Sequence, residues 1–322
     1  MSQFDRLMEA KRPYLTDGGL ETWLFFQQGF TAPEFAAIAL IEDEAARAAL
    51  RRYFDGFLEL AQTAGTGFVL DTVTWRGSPV WAEAIGQTEE GALALNREAA
   101  AFTGAIRDEW RDRVPDVVIN GVIGPAGDGY APGRVPTADE ALALHRAQVS
   151  ELARAGVDMI SAITMTNVAE AIGIARAAQE VGLPVAISFT VETDGSLPTG
   201  DTLADAIAAT DAATGAAMQG ASAYCPAYYM VNCAHPDHFR AVIATGAAWI
   251  VRLGGLRANA SRMSHAELDN AKDLDDGDPV EFGELHRALA ATLPNLRVVG
   301  GCCGTDHRHV ACVSHELHGV PG

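Results

Sequence analysis

Positively charged residues are scarce in this sequence. Its 322 residues include 23 lysines and arginines against 42 aspartates and glutamates, which gives a formal net charge of −19. Because nucleic acids and anionic membrane surfaces repel such a chain, we expect neither as a partner. No apolar run approaches the roughly 18 residues of a membrane helix, and residues 1–12 lack the apolar core of a signal peptide. These absences favour a cytoplasmic protein, and nothing in the sequence indicates an oligomeric state.

Cysteine is also rare, with five residues in the chain. In a reducing compartment we expect these thiols to act as metal ligands, catalytic groups or small buried side chains rather than to form disulfides. Cys225 and Cys312 are interpreted as small buried side chains. Cys302 and Cys303 are adjacent, between glycines, directly after the apolar residues 296–299. A buried strand that ends in a tight turn would present both thiols at one point, which is typical of a site for a soft metal ion.

Short apolar runs that end in Gly, Asp, Thr or Cys alternate with longer Ala-rich segments of helical spacing. This alternation predicts parallel strands, and eight strands is the number that closes a barrel. Residues 17–19 do not form the glycine-rich phosphate loop of an open doubly wound sheet. We therefore predict one α/β domain over residues 1–322, a (β/α)8 TIM barrel with extended loops on its C-terminal face. The predicted strands are 14–17, 67–74, 117–122, 159–164, 185–191, 228–233, 249–253 and 297–301, and the predicted helices are 42–64, 88–111, 137–155, 167–181, 202–214, 237–244, 279–292 and 306–317.

Three connections are longer than a barrel needs. Residues 20–41 and 124–136 are rich in glycine, proline and aromatic residues, and we expect both to lie on the C-terminal face and cover a substrate. Residues 259–277 are polar and charged. We interpret them as a solvated excursion.

A third cysteine completes the candidate metal site. The sixth predicted strand ends at Cys233, and in a barrel that end lies two strand positions from the end of the eighth. Three thiolates with one open position are the arrangement of a catalytic zinc, and the spacing does not match an iron–sulfur cluster. We predict Zn²⁺ as the cofactor, with Cys233, Cys302 and Cys303 as its ligands. Four histidines near these cysteines in sequence are less favoured as ligands and are expected at the surface or at helix ends, namely His235, His238, His307 and His309.

An open zinc site with three thiolate ligands favours one reaction class. Coordination removes the proton from an incoming thiol, whose free pKa is about 8.5, and leaves a nucleophilic sulfur near neutral pH. Three anionic ligands make the centre electron-rich, which suits attack on an alkyl group better than polarisation of a carbonyl. The predicted reaction is alkyl transfer to sulfur.

On longer motifs the sequence resembles the homocysteine S-methyltransferases, a family of zinc-dependent barrels. The resemblance runs nearly end to end and is most specific at GGCCGT, residues 300–305. It implies that Cys233, Cys302 and Cys303 bind zinc and that Asp17 belongs to the thiol-substrate pocket. The other matching motifs are DGGLET (17–22), TVTW (72–75), GP (124–125), SFT (188–190), DG (194–195), Gly200, VNC (231–233), Asn259 and His309.

The resemblance implies two small-molecule partners. The methyl donor is an onium compound of the S-methylmethionine, S-adenosylmethionine or betaine type, and the acceptor is a thiol, with homocysteine the first choice and methionine the product. Aromatic faces attract such cations by about 0.5–2 kcal/mol, and the loops carry Trp23, Phe25, Phe26 and Trp75. The predicted substrate-binding residues are Asp17, Gly18, Glu21, Thr74, Trp75, Thr164 and Asn232.

One position departs from the family pattern. Where the family has a glutamate associated with the homocysteine ammonium, this sequence has Ile163, followed by Thr164. Isoleucine cannot pair with an ammonium, so the contact would pass to Asp17, Glu21 or Glu170, or the acceptor would be a different thiol or a selenol. A zinc-containing barrel that binds without catalysing is a further alternative.

Overall fold

The fold is built on a closed ring of eight parallel strands, as the sequence predicts. The computed structural model describes residues 1–131, 133–215 and 226–319, so Cys225 lies outside the described residues. Each strand pairs with the next, and the last pairs with the first. The strands are β1 (Tyr14–Leu15), β2 (Phe68–Asp71), β3 (Val117–Ile123), β4 (Met159–Met165), β5 (Val185–Phe189), β6 (Pro226–Asn232), β7 (Leu253–Ala258) and β8 (Val298–Gly301).

Helices separate the strands, and the eight predicted ones begin and end within two residues of the expected positions. Sequence signals explain the agreement. Asp43 accepts a hydrogen bond from the Ala46 N–H at 2.8 Å, and Gly65 adopts a φ of 59° after the last turn of the same helix. None of the described helices has the length and apolarity needed to cross a bilayer. The helices are α1 (Gln3–Glu9), α2 (Leu20–Thr22), α3 (Glu44–Ala64), α4 (Glu89–Trp110), α5 (Ala138–Arg154), α6 (Val168–Val181), α7 (Leu203–Thr214), α8 (Pro236–Ile243), α9 (His265–Asp269), α10 (Pro279–Ala290) and α11 (His307–His318).

Apolar side chains fill the barrel and the layer between strands and helices. Every residue of β3 is buried, which is typical of a parallel strand covered on both faces. The N-terminal end of the barrel is closed by α1, whose Phe4 and Leu7 join the inner cluster of strand side chains such as Val118 and Met159. Each such buried side chain stabilises the fold by about 1.5–3 kcal/mol. The opposite, C-terminal end of the barrel is not closed by α1 and can hold a functional site.

The predicted seventh strand was wrong in position. Residues 249–253 were expected to form it, but Ala248–Arg252 is a short 3-10 turn and the strand begins at Leu253. Gly254 and Gly255 lie directly after the predicted range. They are required inside the strand because a Cβ at Gly254 would lie 2.7 Å from the Tyr228 Cβ, and one at Gly255 would collide with Met230. Glycine here admits large side chains of β6 into the barrel.

The interpretation of residues 259–277 as a solvated excursion is right only in part, because about half of the segment is exposed and the rest contacts the barrel. The segment folds over the C-terminal end of the barrel, where Leu268 and Leu274 line a cavity. Two contacts fix it there: the Ala260 N–H donates to the Cys303 carbonyl at 3.1 Å, and Ser261 Oγ donates to Asp275 at 2.6 Å. The segment thus encloses the space above the strand ends.

Candidate active site

A cavity of about 550 Å³ lies at the C-terminal end of the barrel. It collects residues from loops after β1, β2, β4, β6 and β8, because the carboxyl ends of all parallel strands meet at this face. Nine of the ten residues predicted for the site line the cavity, and the tenth, Asn232, lies directly behind its wall. The nine that line the cavity are Asp17, Gly18, Glu21, Thr74, Trp75, Thr164, Cys233, Cys302 and Cys303.

Three sulfur atoms meet at one point of this wall. The Sγ atoms of Cys233, Cys302 and Cys303 all lie within 4.8 Å of one another, and among the described residues they form the one group with the geometry of a metal site. Cys233 follows β6 with a φ of 53°, while the other two follow β8. The sequence prediction that these strand ends converge is confirmed.

The donor set fits a soft metal ion. Two sulfurs each about 2.3 Å from one zinc at the tetrahedral angle lie about 3.8 Å apart. The sulfurs of Cys233 and Cys303 are 3.7 Å apart, whereas those of Cys233 and Cys302 are 2.6 Å apart, so the latter pair has to separate to hold an ion. Three thiols, with no carboxylate in the same group among the residues that the structure describes, suit zinc among the common metals.

The histidines near the cysteines in sequence make other contacts, and two are deeply buried rather than at the surface. His235 Nδ1 accepts from the Asp237 N–H at the start of α8, and His309 Nε2 donates to the Asp276 carbonyl. The ring of His307 stacks on Phe57. His238 Nε2 donates to the Arg262 carbonyl.

The pKa values of the cysteine thiols shift in different directions. Hydrogen bonds from Cys233 and Cys303 hold the pKa of Cys302 well below its ordinary value, and the positive charge of Arg257 adds to this effect. The same hydrogen bond to Cys302 raises the pKa of Cys233. Three crowded thiols cannot all ionise without a compensating cation.

Asn232 fixes the sulfur cluster from behind. Its Oδ1 accepts from the Thr164 N–H at 3.0 Å and from Ser188 Oγ at 2.6 Å, and its Nδ2 lies 3.8 Å from Cys302 Sγ. Thr164 has a φ of 65°, a conformation that this amide helps to hold. Asn232 is fully buried, so its contacts orient other site residues.

Tyr130 covers the cluster from the loop after β3, and the sequence did not point to it. Its hydroxyl lies 3.6 Å from Cys303 Sγ, and its ring stacks on His265 with centroids 4.2 Å apart. Burial and the neighbouring thiols raise the pKa of Tyr130 well above its ordinary value, which keeps the hydroxyl a donor. His265 in turn donates to the Cys233 carbonyl at 2.9 Å. Two of the three cysteines are therefore braced by one aromatic pair.

A buried ion cluster forms the floor beside the sulfurs. Arg257 Nη2 lies 2.5 Å from Asp17 Oδ1, and Nη1 pairs with Asp71. Asp71 also accepts from Asn120 at 2.7 Å, and Tyr53 donates to Asp17 at 3.2 Å. Burial raises the pKa of Asp17 to about 7, with Arg257 opposing the rise and Asp71 adding to it. The sequence missed Arg257 because the seventh strand was placed too early.

The residues considered as substitutes for the missing glutamate differ in availability. Ile163 lines the cavity as an apolar side chain. Glu170 faces away and binds the Ala126 N–H at 2.6 Å and His145 at 2.8 Å, so it anchors the loop that carries Tyr130. Glu21 lines the cavity without a hydrogen bond to another described side chain, and burial raises its pKa to about 7.

The four aromatic residues proposed for the donor divide into two pairs. Phe26 and Trp75 line the cavity. Trp23 instead packs on Tyr53 at 5.0 Å between ring centroids, and Phe25 packs on Phe35 at 4.7 Å. Only the first pair is in position to meet a ligand there.

The sequence profile of the homocysteine S-methyltransferase family matches residues 14–317. The chain belongs to the homocysteine S-methyltransferase family. The match covers every strand of the barrel and all three cysteines of the cluster. Membership makes the protein an enzyme of the methyl-transferring class.

Solved structures agree with the fold. The oxidised form of the Escherichia coli homocysteine methyltransferase MmuM is similar to this chain with a TM-score of 0.72 and 20% sequence identity, over 97% of this chain and 99% of that one. The metallated form of the same protein gives a TM-score of 0.71 at 19% identity, over 97% and 99% of the two chains. At these identities the likeness concerns the barrel.

Proposed function

We propose that this protein is a zinc-dependent S-methyltransferase that moves a methyl group from an onium donor to homocysteine and yields methionine. The observation that carries the proposal is the group of three thiols in the wall of an acid-lined cavity. Cys233, Cys302 and Cys303 would hold the ion. Zinc at this point would lower the pKa of an incoming thiol and keep its sulfur nucleophilic near neutral pH.

The reaction needs little further protein chemistry. The acceptor sulfur bonds to the methyl carbon while the bond from that carbon to the onium sulfur or nitrogen breaks. The electron pair stays on the leaving thioether or amine, and the thiol proton passes to solvent. Because the leaving group is neutral, the chain has to bind and align two substrates rather than supply a second nucleophile.

The charge of the cavity supports a cationic donor. Eight carboxylates and two guanidinium groups line it, so its field attracts cations and disfavours anions. The rings of Phe26 and Trp75 add faces on which an onium group can rest. The carboxylates are Asp17, Glu21, Glu34, Asp71, Asp128, Asp269, Asp273 and Asp275.

Glu21 is the carboxylate that we assign to the ammonium of homocysteine. Asp17 is already paired with Arg257, and Glu170 is paired with His145 away from the cavity. Glu21 has no such partner among the described residues and lies in the cavity wall. This assignment explains how the site can accept homocysteine although Ile163 occupies the family's glutamate position.

A second candidate function is the same transfer to a different thiol or to a selenol. The apolar wall at Ile163 favours it, because an acceptor without an ammonium would lose nothing there. A zinc-loaded preparation tested with a matrix of thiols and methyl-labelled onium donors separates the two functions. Labelled methionine as the main product supports homocysteine, a faster rate with another thiol supports the second candidate, and no labelled thioether from any pair contradicts both.

A further inference from the structure

Arg76 is a buried cation that has no hydrogen-bond or ion-pair partner among the described residues. It follows Trp75 in the loop after β2, lines the cavity and is 9% exposed. Its guanidinium carbon lies 4.6 Å from the ring centroid of Trp75 and 3.9 Å from that of Trp81. Within the described parts of the chain the guanidinium forms no hydrogen bond or ion pair, and its Nε atom is buried without an acceptor.

This arrangement is costly for the fold. Burying a cation costs several kcal/mol of hydration, the buried Nε gains no acceptor in return, and two indole faces return about 0.5–2 kcal/mol each. Burial lowers the pKa of Arg76, although Asp128, Glu34 and Glu21 attract it through space. Arg257, the other arginine of the cavity, is paired with two carboxylates. An uncompensated cation of this kind is expected where a ligand supplies the missing acceptor.

The two indoles hold the guanidinium in a fixed place. Trp75 Nε1 donates to the Ile163 carbonyl at 3.3 Å, and Trp81 Nε1 donates to the Pro125 carbonyl at 3.1 Å. Both rings are therefore anchored to other elements of the barrel. A guanidinium that contacts two anchored rings loses little freedom when a ligand binds, which favours affinity.

We propose that Arg76 is the carboxylate-binding residue of the cavity and that a substrate carboxylate supplies its acceptors. The planar guanidinium presents paired N–H donors that match a carboxylate, and charged hydrogen bonds of this kind are the strong ones. The proposal rests on the proposed function, because the thiol acceptor and the onium donor each carry one carboxylate. Arg76 thus makes an amino-acid or betaine-like substrate the preferred class.

Glu21 provides the complementary charge. Glu21 lines the same cavity as Arg76. Burial raises the pKa of Glu21 to about 7, with Cys302 adding to the rise and Arg76 opposing it. An α-amino acid could therefore meet Glu21 with its ammonium and Arg76 with its carboxylate. Bound in this way, a zwitterion would leave neither buried charge unpaired.

Kinetics with matched substrates test the proposal. One pair is homocysteine and 3-aminopropane-1-thiol, and the other is S-methylmethionine and its decarboxylated sulfonium analogue. For the substrate whose carboxylate binds to Arg76, Arg76→Gln should raise KM by about 10- to 100-fold. For the matching decarboxylated compound, kcat/KM should stay within about two-fold of the wild-type value. Arg76→Lys should fall between, because it keeps the charge without the paired donors. The pair that shows the difference identifies the acceptor or the donor as the source of the carboxylate.

Arg113→Gln is the matched control, because Arg113 also lies over an indole, that of Trp110, but does not line the cavity. This variant should leave KM and kcat/KM unchanged for all four substrates. An equal loss for both members of both pairs, or no loss at all, would overturn the assignment of Arg76.

Calorimetric binding separates this proposal from the proposed function. Zinc-loaded wild-type protein should bind homocysteine or S-methylmethionine about ten-fold or more tightly than the matching decarboxylated compound, and Arg76→Gln should abolish the preference. That result supports the carboxylate site even if no methyl transfer is detected. Methyl transfer with no such preference, or no binding of either carboxylate compound to the wild type, contradicts the carboxylate site.

Discussion

Arg257 Nη2 lies 2.5 Å from Asp17 Oδ1 in the floor of the cavity, 240 residues away along the chain. The same guanidinium pairs with Asp71, so one cation lies between two buried carboxyl groups. Removing it would leave both carboxylates without a counter-charge in a site with little solvent. The pairing also explains why Asp17, although the family resemblance implies a place in the thiol pocket, is not free to bind an ammonium.

Above pH 7, where Asp17 is ionised, Arg257→Met should lower the free energy of unfolding by about 3–5 kcal/mol, because it leaves two buried carboxylates without their cation. Urea unfolding followed by circular dichroism measures the change. Arg176→Met is the control, because it breaks the pair with the exposed Asp139 and should cost at most about 1 kcal/mol. A loss at Arg257 no larger than that of the control would contradict a buried ion cluster.

The stability of the protein should depend on pH through Asp17. Folding raises the pKa of Asp17 from its ordinary 3.8 to about 7, mainly through burial. Between these values the folded protein keeps a proton that the unfolded chain has released, so this contribution to stability is full below about pH 4 and falls as the pH rises towards 7. Asp17→Asn should flatten that fall in urea unfolding measured across the interval, whereas Asp139→Asn, at an exposed position of α5, should not. An unchanged slope in Asp17→Asn would show that Asp17 is ionised throughout.

Tyr130→Phe should weaken zinc retention by about ten-fold, since the variant keeps the stack on His265 and loses the hydrogen bond to Cys303. Competition with a chromogenic chelator measures the affinity without reference to activity. Tyr229→Phe serves as the control, because its hydroxyl contacts Asp211 away from the cavity. Equal zinc affinities for the wild type and Tyr130→Phe would mean that the hydroxyl does not support the cluster.

Arg76→Met should leave the free energy of unfolding unchanged or raise it by up to about 2 kcal/mol, because the variant removes an unpaired buried cation. Thermal and urea unfolding of the zinc-loaded protein test this. The expected sign is opposite to that for Arg257→Met. A loss of more than about 2 kcal/mol would indicate that Arg76 serves the fold rather than a ligand.

Much of this architecture can be predicted from the sequence because it depends on local signals. Strand and helix alternate with clear apolar periodicity, caps such as Asp43 and Gly65 mark helix ends, and barrel closure then brings the ends of β6 and β8 together. The convergence of Cys233 with the Cys302–Cys303 pair follows from topology alone. No side-chain detail is needed to predict it.

The missed features depend on contacts between distant residues. The shift of β7 arises because Gly254 and Gly255 admit side chains of β6, a requirement that no local pattern expresses. Arg257 was not predicted as a site residue because the predicted strand ended before it. The roles of Arg76 and Tyr130 depend on residues that are distant in the sequence and become neighbours only in the folded chain. Tyr130 and Cys303, which are in contact, lie 173 residues apart.

The central claim is that three thiols hold one catalytic zinc, and the most direct test measures bound zinc and labelled methionine formation in the same preparations. The wild type should carry about one zinc per chain, and Cys233→Ser, Cys302→Ser and Cys303→Ser should each lose metal and product together. Cys312→Ser, in α11 and outside the cluster, should keep both. Methionine formed at the wild-type rate by a zinc-free cysteine variant would contradict the account.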